Sequence, residues 1–521
     1  MLKPLTPRVF SVALISAFLL TASAQEKPAS TGDKPKEESK DAKTPPKKDP
    51  KDPKDELVES AHSVTVNGNE IKYTATTGTI VMKEEDGKAR ASFFFVAYIR
   101  EGVTNLSARP LTFSFNGGPG SASVWLHLGI LGPRRVRMND DGTPPPPPYS
   151  LVDNEYSLLD QTDLVFIDPI STGFSRAVPG EDPKRFHGVD GDIKSVGEFI
   201  RLYTTRYKRW LSPKFLIGES YGTTRAAGLS GHLQEALGMN LNGIMLVSAV
   251  LDFQTISFNP GNDLPYIVFL PTYTASAWYH KKLPADLQRD LQQTLKQSEQ
   301  FAMNDYTVAL AKGDSLTGSE RTRIIQQVAR FTGLSTNFVY KSKLRINIFN
   351  FAKELLRDQD KTVGRFDSRY TGLDRDGVGD TFDYDPSYAA VQGPYTAALN
   401  DYVRRELKYE SDLPYEVLTG NVRPWNYGEY QNRYLNVAET LRRSITQNPH
   451  LKVMVANGYY DLATPYLATD YTFNHLILDP SLRGNITMTY YEAGHMMYSH
   501  KPSLVKLKKD LAAFIESALP K

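Results

Sequence analysis

The chain has 521 residues, with 61 basic against 59 acidic side chains and a formal charge of +2. That balance excludes the strongly basic surface of a polyanion-binding protein, and no nucleic-acid module stands out. With no cysteine, neither disulfides nor a cysteine-borne lipid anchor is available, so stability must come from a large hydrophobic core, which this length can build.

Residues 1–24 place Lys3 and Arg8 before an apolar run, Val9 to Leu20, and end on Ala22-Ser23-Ala24. This is the form of a secretory signal peptide cut after Ala24. The run is too short for a membrane span, and no later segment reaches the roughly 18 apolar residues one needs. The expectation is a bacterial exported protein, periplasmic or secreted. Residues 25–56 are Lys, Pro, Asp and Glu with almost nothing apolar, a disordered linker that cannot bury enough surface to offset its ordering entropy.

Residues 57–262 are expected to form the first part of a catalytic core. From Ser63 to Met82 apolar and polar residues alternate around Asn67-Gly68, a hairpin signal, and Ala89 to Ile99 follows as a long strand. Strand patterns then recur at Leu111–Phe115, Thr162–Ile167, Lys214–Ile217 and Gly243–Ser248, with helical patterns at Asp192–Tyr207 and Thr223–Leu237. Strands alternating with helices predict a mostly parallel sheet flanked by helices, with active loops at the strands' carboxyl ends. Residues 263–433 lose that rhythm and read as an inserted, mainly helical cap. Residues 434–521 resume it with strands at Leu451–Ala456 and Ile486–Tyr491 and a helix at Ser503–Leu519.

Within this frame, Gly218-Glu219-Ser220-Tyr221-Gly222 reads as a nucleophile elbow, a strained strand-to-helix turn whose glycines avoid clashes with neighbouring backbone. Asp461 follows one returning strand and His495 the last. Serine, acid and histidine in that order are what an α/β-hydrolase fold requires. The chemistry needs all three, because a serine hydroxyl attacks well only when histidine takes its proton and a buried carboxylate fixes the histidine tautomer. His500 competes for the base, and Asp470 and Asp479 are less suitable acids. Asn116-Gly-Gly-Pro-Gly120 follows a buried strand, and its amides with that of Tyr221 suit an oxyanion hole.

Together these pieces resemble the serine carboxypeptidase family, which carries Asn-Gly-Gly-Pro-Gly, Gly-Glu-Ser-Tyr-Gly, Gly-x-x-Asp and Gly-His-Met in this order. Here they are Asn116–Gly120, Gly218–Gly222, Gly458–Asp461 and Gly494-His495-Met496, and Asp168-Pro-Ile-Ser-Thr-Gly-Phe-Ser resembles a further family loop. The resemblance implies attack by Ser220 on the last peptide carbonyl, oxyanion contacts from the Gly118 and Tyr221 amides, and binding of the substrate's terminal carboxylate by Asn116 and Glu219. It implies peptide substrates and no cofactor. Two carboxylates meet only if one carries a proton, which accounts for the family's preference for acidic pH.

The chain departs from the family in three places. Ile130 stands where a second glutamate is usual, Ser114 where the family has tryptophan, and Ser121 where it has cysteine. Without a carboxyl partner, Glu219 is expected to hold its proton less well and the acid optimum to be shallower. Asp374–Asp380, with Asp383 and Asp385, has some of the acids of a calcium loop, but Val378 falls at its fifth position, so the reading is a solvated loop and no metal. Three functions follow in order: an exopeptidase acting at peptide carboxyl ends, an exported esterase or acyltransferase with the same triad, and a non-catalytic binding protein.

Overall fold

The computed structural model describes residues 53–520. The expected signal peptide and most of the expected linker lie outside the described residues. Among the described residues no helix is long and apolar enough to cross a membrane.

Nine strands, in chain order, make the central sheet: β1 (Glu56–Val66), β2 (Asn69–Lys83), β3 (Ala89–Arg100), β4 (Leu111–Phe115), β5 (Asp163–Ile167), β6 (Lys214–Ser220), β7 (Gly243–Ala249), β8 (Lys452–Gly458) and β9 (Ile486–Tyr491). Their spatial order is β1-β2-β3-β5-β4-β6-β7-β8-β9, and a two-residue strand, Arg176–Ala177, pairs with β3. The first three strands and the β3–β5 pair are antiparallel. From β5 to β9 every neighbour is parallel.

The folded chain begins earlier than the Ser63 alternation predicts, because β1 already pairs with β2 at Glu56. The inward side of β1 carries Ser60 and His62 among its apolar residues, which hides the period-two signal of a half-buried edge strand. At the turn, Asn67 and Gly68 both have positive φ, 50° and 77°, the backbone a two-residue hairpin loop requires.

β4, β5 and β7 are buried along their whole length, as strands covered on both faces must be. Alternate side chains serve opposite cores. Phe94, Val96 and Tyr98 of β3 pack on one face with Leu507, Leu511 and Phe514 of the carboxyl-terminal helix. Phe93, Phe95 and Ala97 pack on the other with Phe199, Leu229 and Leu441. Helices α1 (Val189–Arg206) and α2 (Tyr221–Glu235) provide that second cover. The segment between β7 and β8 holds α3 (Leu264–Tyr279), α4 (Leu291–Phe301), α5 (Gly318–Thr332), α6 (Pro386–Arg405) and α7 (Ala438–Gln447), while α8 (Tyr466–Asn474) and α9 (Lys501–Ser517) follow β8 and β9.

The helical region 263–433 divides in its packing. Residues from Ile267 to Val363 build their own core with Tyr460–Ala468, whereas Tyr395, Leu399 and Tyr402 of α6 join the core on one face of the sheet. In the acidic loop, the ammonium of Lys353 bonds Asp374 and the Asp376 carbonyl oxygen, so a lysine occupies its centre.

β4 lies between β5 and β6, so the chain leaves β4 toward one side and later returns on the other. Loops after β4 and β6 therefore diverge over a crevice at the strands' carboxyl ends, where ligands bind in open α/β sheets.

Candidate active site

Ser220 ends β6 with φ 59° and ψ −130°, a conformation that costs an ordinary residue on the order of 1–3 kcal/mol. The neighbouring glycines make it attainable. A Cβ on Gly218 would lie 2.2 Å from the Gly222 carbonyl oxygen, and one on Gly222 would lie 2.9 Å from that of Phe115. The Ser220 hydroxyl caps no helix amide and stays uncommitted at the start of α2.

Asp461 and His495 follow β8 and β9, whose parallel pairing sets Gly458 opposite Tyr491. Asp461 Oδ2 meets His495 Nδ1 at 2.7 Å and also accepts the Thr464 hydroxyl at 2.7 Å. Its Oδ1 accepts the backbone amides of Ala463 and Thr464. A fully buried carboxylate is thereby saturated with donors and aimed at one imidazole nitrogen, leaving Nε2 free to take a proton. Burial would lower the His495 pKa, but the charge and hydrogen bond of Asp461 outweigh it, and the net shift is upward.

Three contacts that the sequence did not disclose hold the histidine. The Ser248 hydroxyl donates to the His495 carbonyl oxygen at 2.6 Å. The His495 amide donates to the Phe366 carbonyl oxygen at 2.6 Å. The Phe366 ring stacks on the imidazole, centroids 5.0 Å apart and planes 14° apart.

The glycine-rich loop after β4 presses against the elbow. A Cβ on Gly117 would lie 2.4 Å from the Tyr221 amide nitrogen, so the loop backbone reaches the start of α2 only because this residue is glycine. Neither the Gly118 nor the Tyr221 amide is used in a loop hydrogen bond among the described residues. Arg225, one turn along α2, fixes the loop from below. It is fully buried, donates to Asp192 at 2.8 Å and to the Asn116 carbonyl oxygen at 2.6 Å, and lies over the Phe115 and Tyr221 rings. From above, Asp168 Oδ1 accepts the amide and hydroxyl of Ser123, both at 2.8 Å. Burial pushes the Asp168 carboxyl up to about 6.

Asn116 and Glu219 are in contact: Asn116 Nδ2 donates to Glu219 Oε1 at 3.1 Å, while Asn116 Oδ1 accepts the Leu126 amide at 3.2 Å. The rival residues lie elsewhere. His500 bonds the Ser503 hydroxyl at the start of α9, Asp470 accepts the Tyr490 hydroxyl, and Asp479 caps a short turn at Ser481.

A family profile described as serine carboxypeptidase matches residues 68–506. The chain belongs to the serine carboxypeptidase family. It is 27% identical over 187 residues to serine carboxypeptidase-like 45 of Arabidopsis thaliana, covering 33% of this chain and 36% of the relative. It is 32% identical over 155 residues to the pheromone-processing carboxypeptidase KEX1 of Saccharomyces cerevisiae, covering 28% of this chain and 20% of the relative. The matched stretch thus spans about a third or less of these curated relatives. The crystal structure of KEX1(delta)P, a prohormone-processing carboxypeptidase from Saccharomyces cerevisiae, aligns with a TM-score of 0.53 at 16% identity, over 85% of this chain and 91% of that one. That likeness carries the fold.

Against the serine carboxypeptidase pattern, two of the three departures have structural accounts, while Ser114 is buried with its hydroxyl unpartnered among the described residues. Ile130 is fully buried in the core, and no second carboxyl approaches Glu219 from it. The partner is Tyr498, whose hydroxyl donates to Glu219 Oε2 at 2.6 Å. Gly129 makes room, since a Cβ there would lie 2.3 Å from the Tyr498 ring. Relative to an ordinary carboxyl, Glu219 holds its proton strongly even without a second glutamate. Burial is the largest influence on it and, although the His495 charge and the Tyr498 and Asn116 hydrogen bonds oppose, its carboxyl is pushed up to about 7. Ser121, at the family's cysteine position, accepts the Trp125 indole N–H at 2.9 Å. Backbone bonds from Ala122 to Val417 and from Thr419 to Gly120 tie this loop to the 417–419 segment, without any covalent link.

Proposed function

We propose that the protein is a serine-type carboxypeptidase that releases amino acids from the carboxyl ends of peptides. The observation that supports this most is the buried Glu219 carboxyl beside the elbow, which keeps its proton to about pH 7 and touches Asn116. A protonated carboxyl donates a hydrogen bond to a substrate carboxylate, where an ionised one would repel it.

In this reading the terminal carboxylate binds Glu219 and the remaining Asn116 amide hydrogen, which sets the last peptide bond over Ser220. Ser220 attacks the carbonyl carbon as His495 Nε2 takes its proton. Asp461 holds the ring tautomer and stabilises the imidazolium. The Gly118 and Tyr221 amides receive the oxyanion. The imidazolium then protonates the departing amine, and water, deprotonated by His495, resolves the acyl-enzyme.

The test compares amino-acid release from a free-acid peptide, its amidated twin, and both with the Ser220→Ala variant. Release from the free acid alone, abolished in Ser220→Ala, is expected. Equal cleavage of both peptides, or ester turnover with no release of an amino acid, would move the assignment to a broader esterase or acyltransferase. We also propose that the chain is exported and cut after Ala24; a mature protein whose first residue is not Gln25 would refute that cut.

A further inference from the structure

The segment that clamps His495 carries a cation with no partner. The carbonyl oxygen of Arg365 accepts the amide of Leu462, next to Asp461, and the following residue, Phe366, bonds and stacks on His495. The Arg365 guanidinium lies 5.5 Å from the Phe366 ring centroid. It is largely buried yet still reached by solvent, and among the described residues it makes no side-chain hydrogen bond or ion pair.

The anions whose charges bear on it are Asp385 and Asp461, and neither forms a hydrogen bond or ion pair with its side chain. Asp385 Oδ1 accepts the amides of Arg365 and Ser387 and the Ser387 hydroxyl, and Asp461 is saturated by His495, Ala463 and Thr464. None of its nitrogens is among the buried unpartnered atoms, so its five N–H donors face water and are available to an incoming anion. Arg365 acts on His495 electrostatically, pulling its pKa down against the pull of Asp461, so this cation lies within the field of the catalytic pair.

We propose that Arg365 binds a carboxylate of the substrate at a second anion subsite, separate from the Asn116–Glu219 contact. This rests on Asp461, His495 and Ser220 being the catalytic group. Because Asn116 and Glu219 already serve the terminal carboxylate in that reading, the group left for Arg365 is an acidic side chain flanking the scissile bond. The enzyme would then favour peptides with Asp or Glu in one of their last two positions.

The experiment measures kcat/KM for peptide sets with Glu, Gln or Lys at the last or the penultimate position, as free acids and amides, with wild type, Arg365→Gln and Arg365→Lys. A charge-assisted bidentate contact predicts about a tenfold to hundredfold advantage of Glu over Gln at one position. That advantage should collapse in Arg365→Gln, mainly through KM, and survive in part in Arg365→Lys. If Arg365→Gln instead erases the discrimination between free acid and amide, the same guanidinium reads the terminal carboxylate, which overturns the separate subsite. Equal rates for Glu and Gln peptides with wild type, or loss of kcat on both alike in Arg365→Gln with free-acid discrimination unchanged, would overturn the proposal. Should wild type release no amino acid, the carboxypeptidase reading fails separately. Succinyl and butyryl esters of one alcohol then test Arg365, and equal turnover of the two by wild type would overturn it.

Discussion

Tyr498 and Glu219, 279 residues apart in the chain, share a 2.6 Å hydrogen bond in which the phenol donates to the carboxyl. That bond favours the ionised carboxylate, so it lowers a pKa that burial raises. Tyr498→Phe should therefore move Glu219 upward, by about one pH unit if the bond contributes roughly 1.4 kcal/mol. The high-pH limb of kcat/KM for free-acid peptides should shift with it. Gly129→Ala should do the same by displacing the Tyr498 ring. An unmoved limb in both variants would show that the phenol does not tune Glu219.

The wild-type profile follows from two groups. In the proposed mechanism protonated Glu219 is the form that accepts a substrate carboxylate, so kcat/KM should fall as pH rises through about 7. In that same mechanism His495 must be neutral to act as base, and Asp461 holds its pKa above the ordinary 6.5, so activity should rise with pH as His495 loses its proton. The two titrations belong to a coupled pair, and the product is a maximum bounded on its acid side by His495 and on its alkaline side by Glu219, well above the range of free carboxyls. Glu219→Gln should remove the falling limb and, by deleting a nearby negative charge, lower the rising one. A maximum at about pH 4 to 5, where free carboxyls titrate, would contradict this.

Asp461→Asn keeps the volume of the acid but presents Nδ1 of His495 with the wrong hydrogen-bond partner. In the Ser-His-Asp mechanism such a change costs about 10⁴ in kcat. Here the same order of loss is expected with KM little changed, measured by steady-state release of amino acid. A loss under tenfold would remove Asp461 from the proposed triad.

Arg225 and Asp192 form an ion pair that is buried on both sides. Arg225→Met strands the Asp192 carboxylate, whose pKa burial already raises, and should cost about 3–5 kcal/mol of stability. Adding Asp192→Leu should recover much of it. Both variants should lose kcat, because Arg225 also holds the Asn116 carbonyl oxygen behind the oxyanion loop. Urea unfolding and single-turnover kinetics separate the two effects; a stable Arg225→Met with normal kcat would assign the arginine neither role.

What could be read from the sequence was what local geometry dictates. Ser220 stood out because its turn needs glycine on both sides, and Asp461 and His495 because each follows a strand whose neighbours are legible as buried runs. The start of β1 is hidden in the sequence because Ser60 and His62 fill inward positions of an edge strand. Tyr498, Phe366, Ser248 and Arg225 were invisible for a different reason. Each acts across a distance in sequence that only the packed fold closes, and a tyrosine or phenylalanine carries no motif of its own. Ile130 marks the missing glutamate in the sequence, but the group that bonds Glu219 instead, Tyr498, comes from the far end of the chain, where no local pattern announces it.

The clamp between Phe366 and His495 joins residues that are made far apart in time. The nucleophile and its elbow are made early, then the ring and carbonyl that receive the base, and the base itself only when β9 has emerged. A nascent or prematurely terminated chain that stops before residue 495 holds an elbow with nothing to deprotonate it. If the proposed triad is the catalytic group, hydrolytic power arrives in a single late step, once residue 495 has been made.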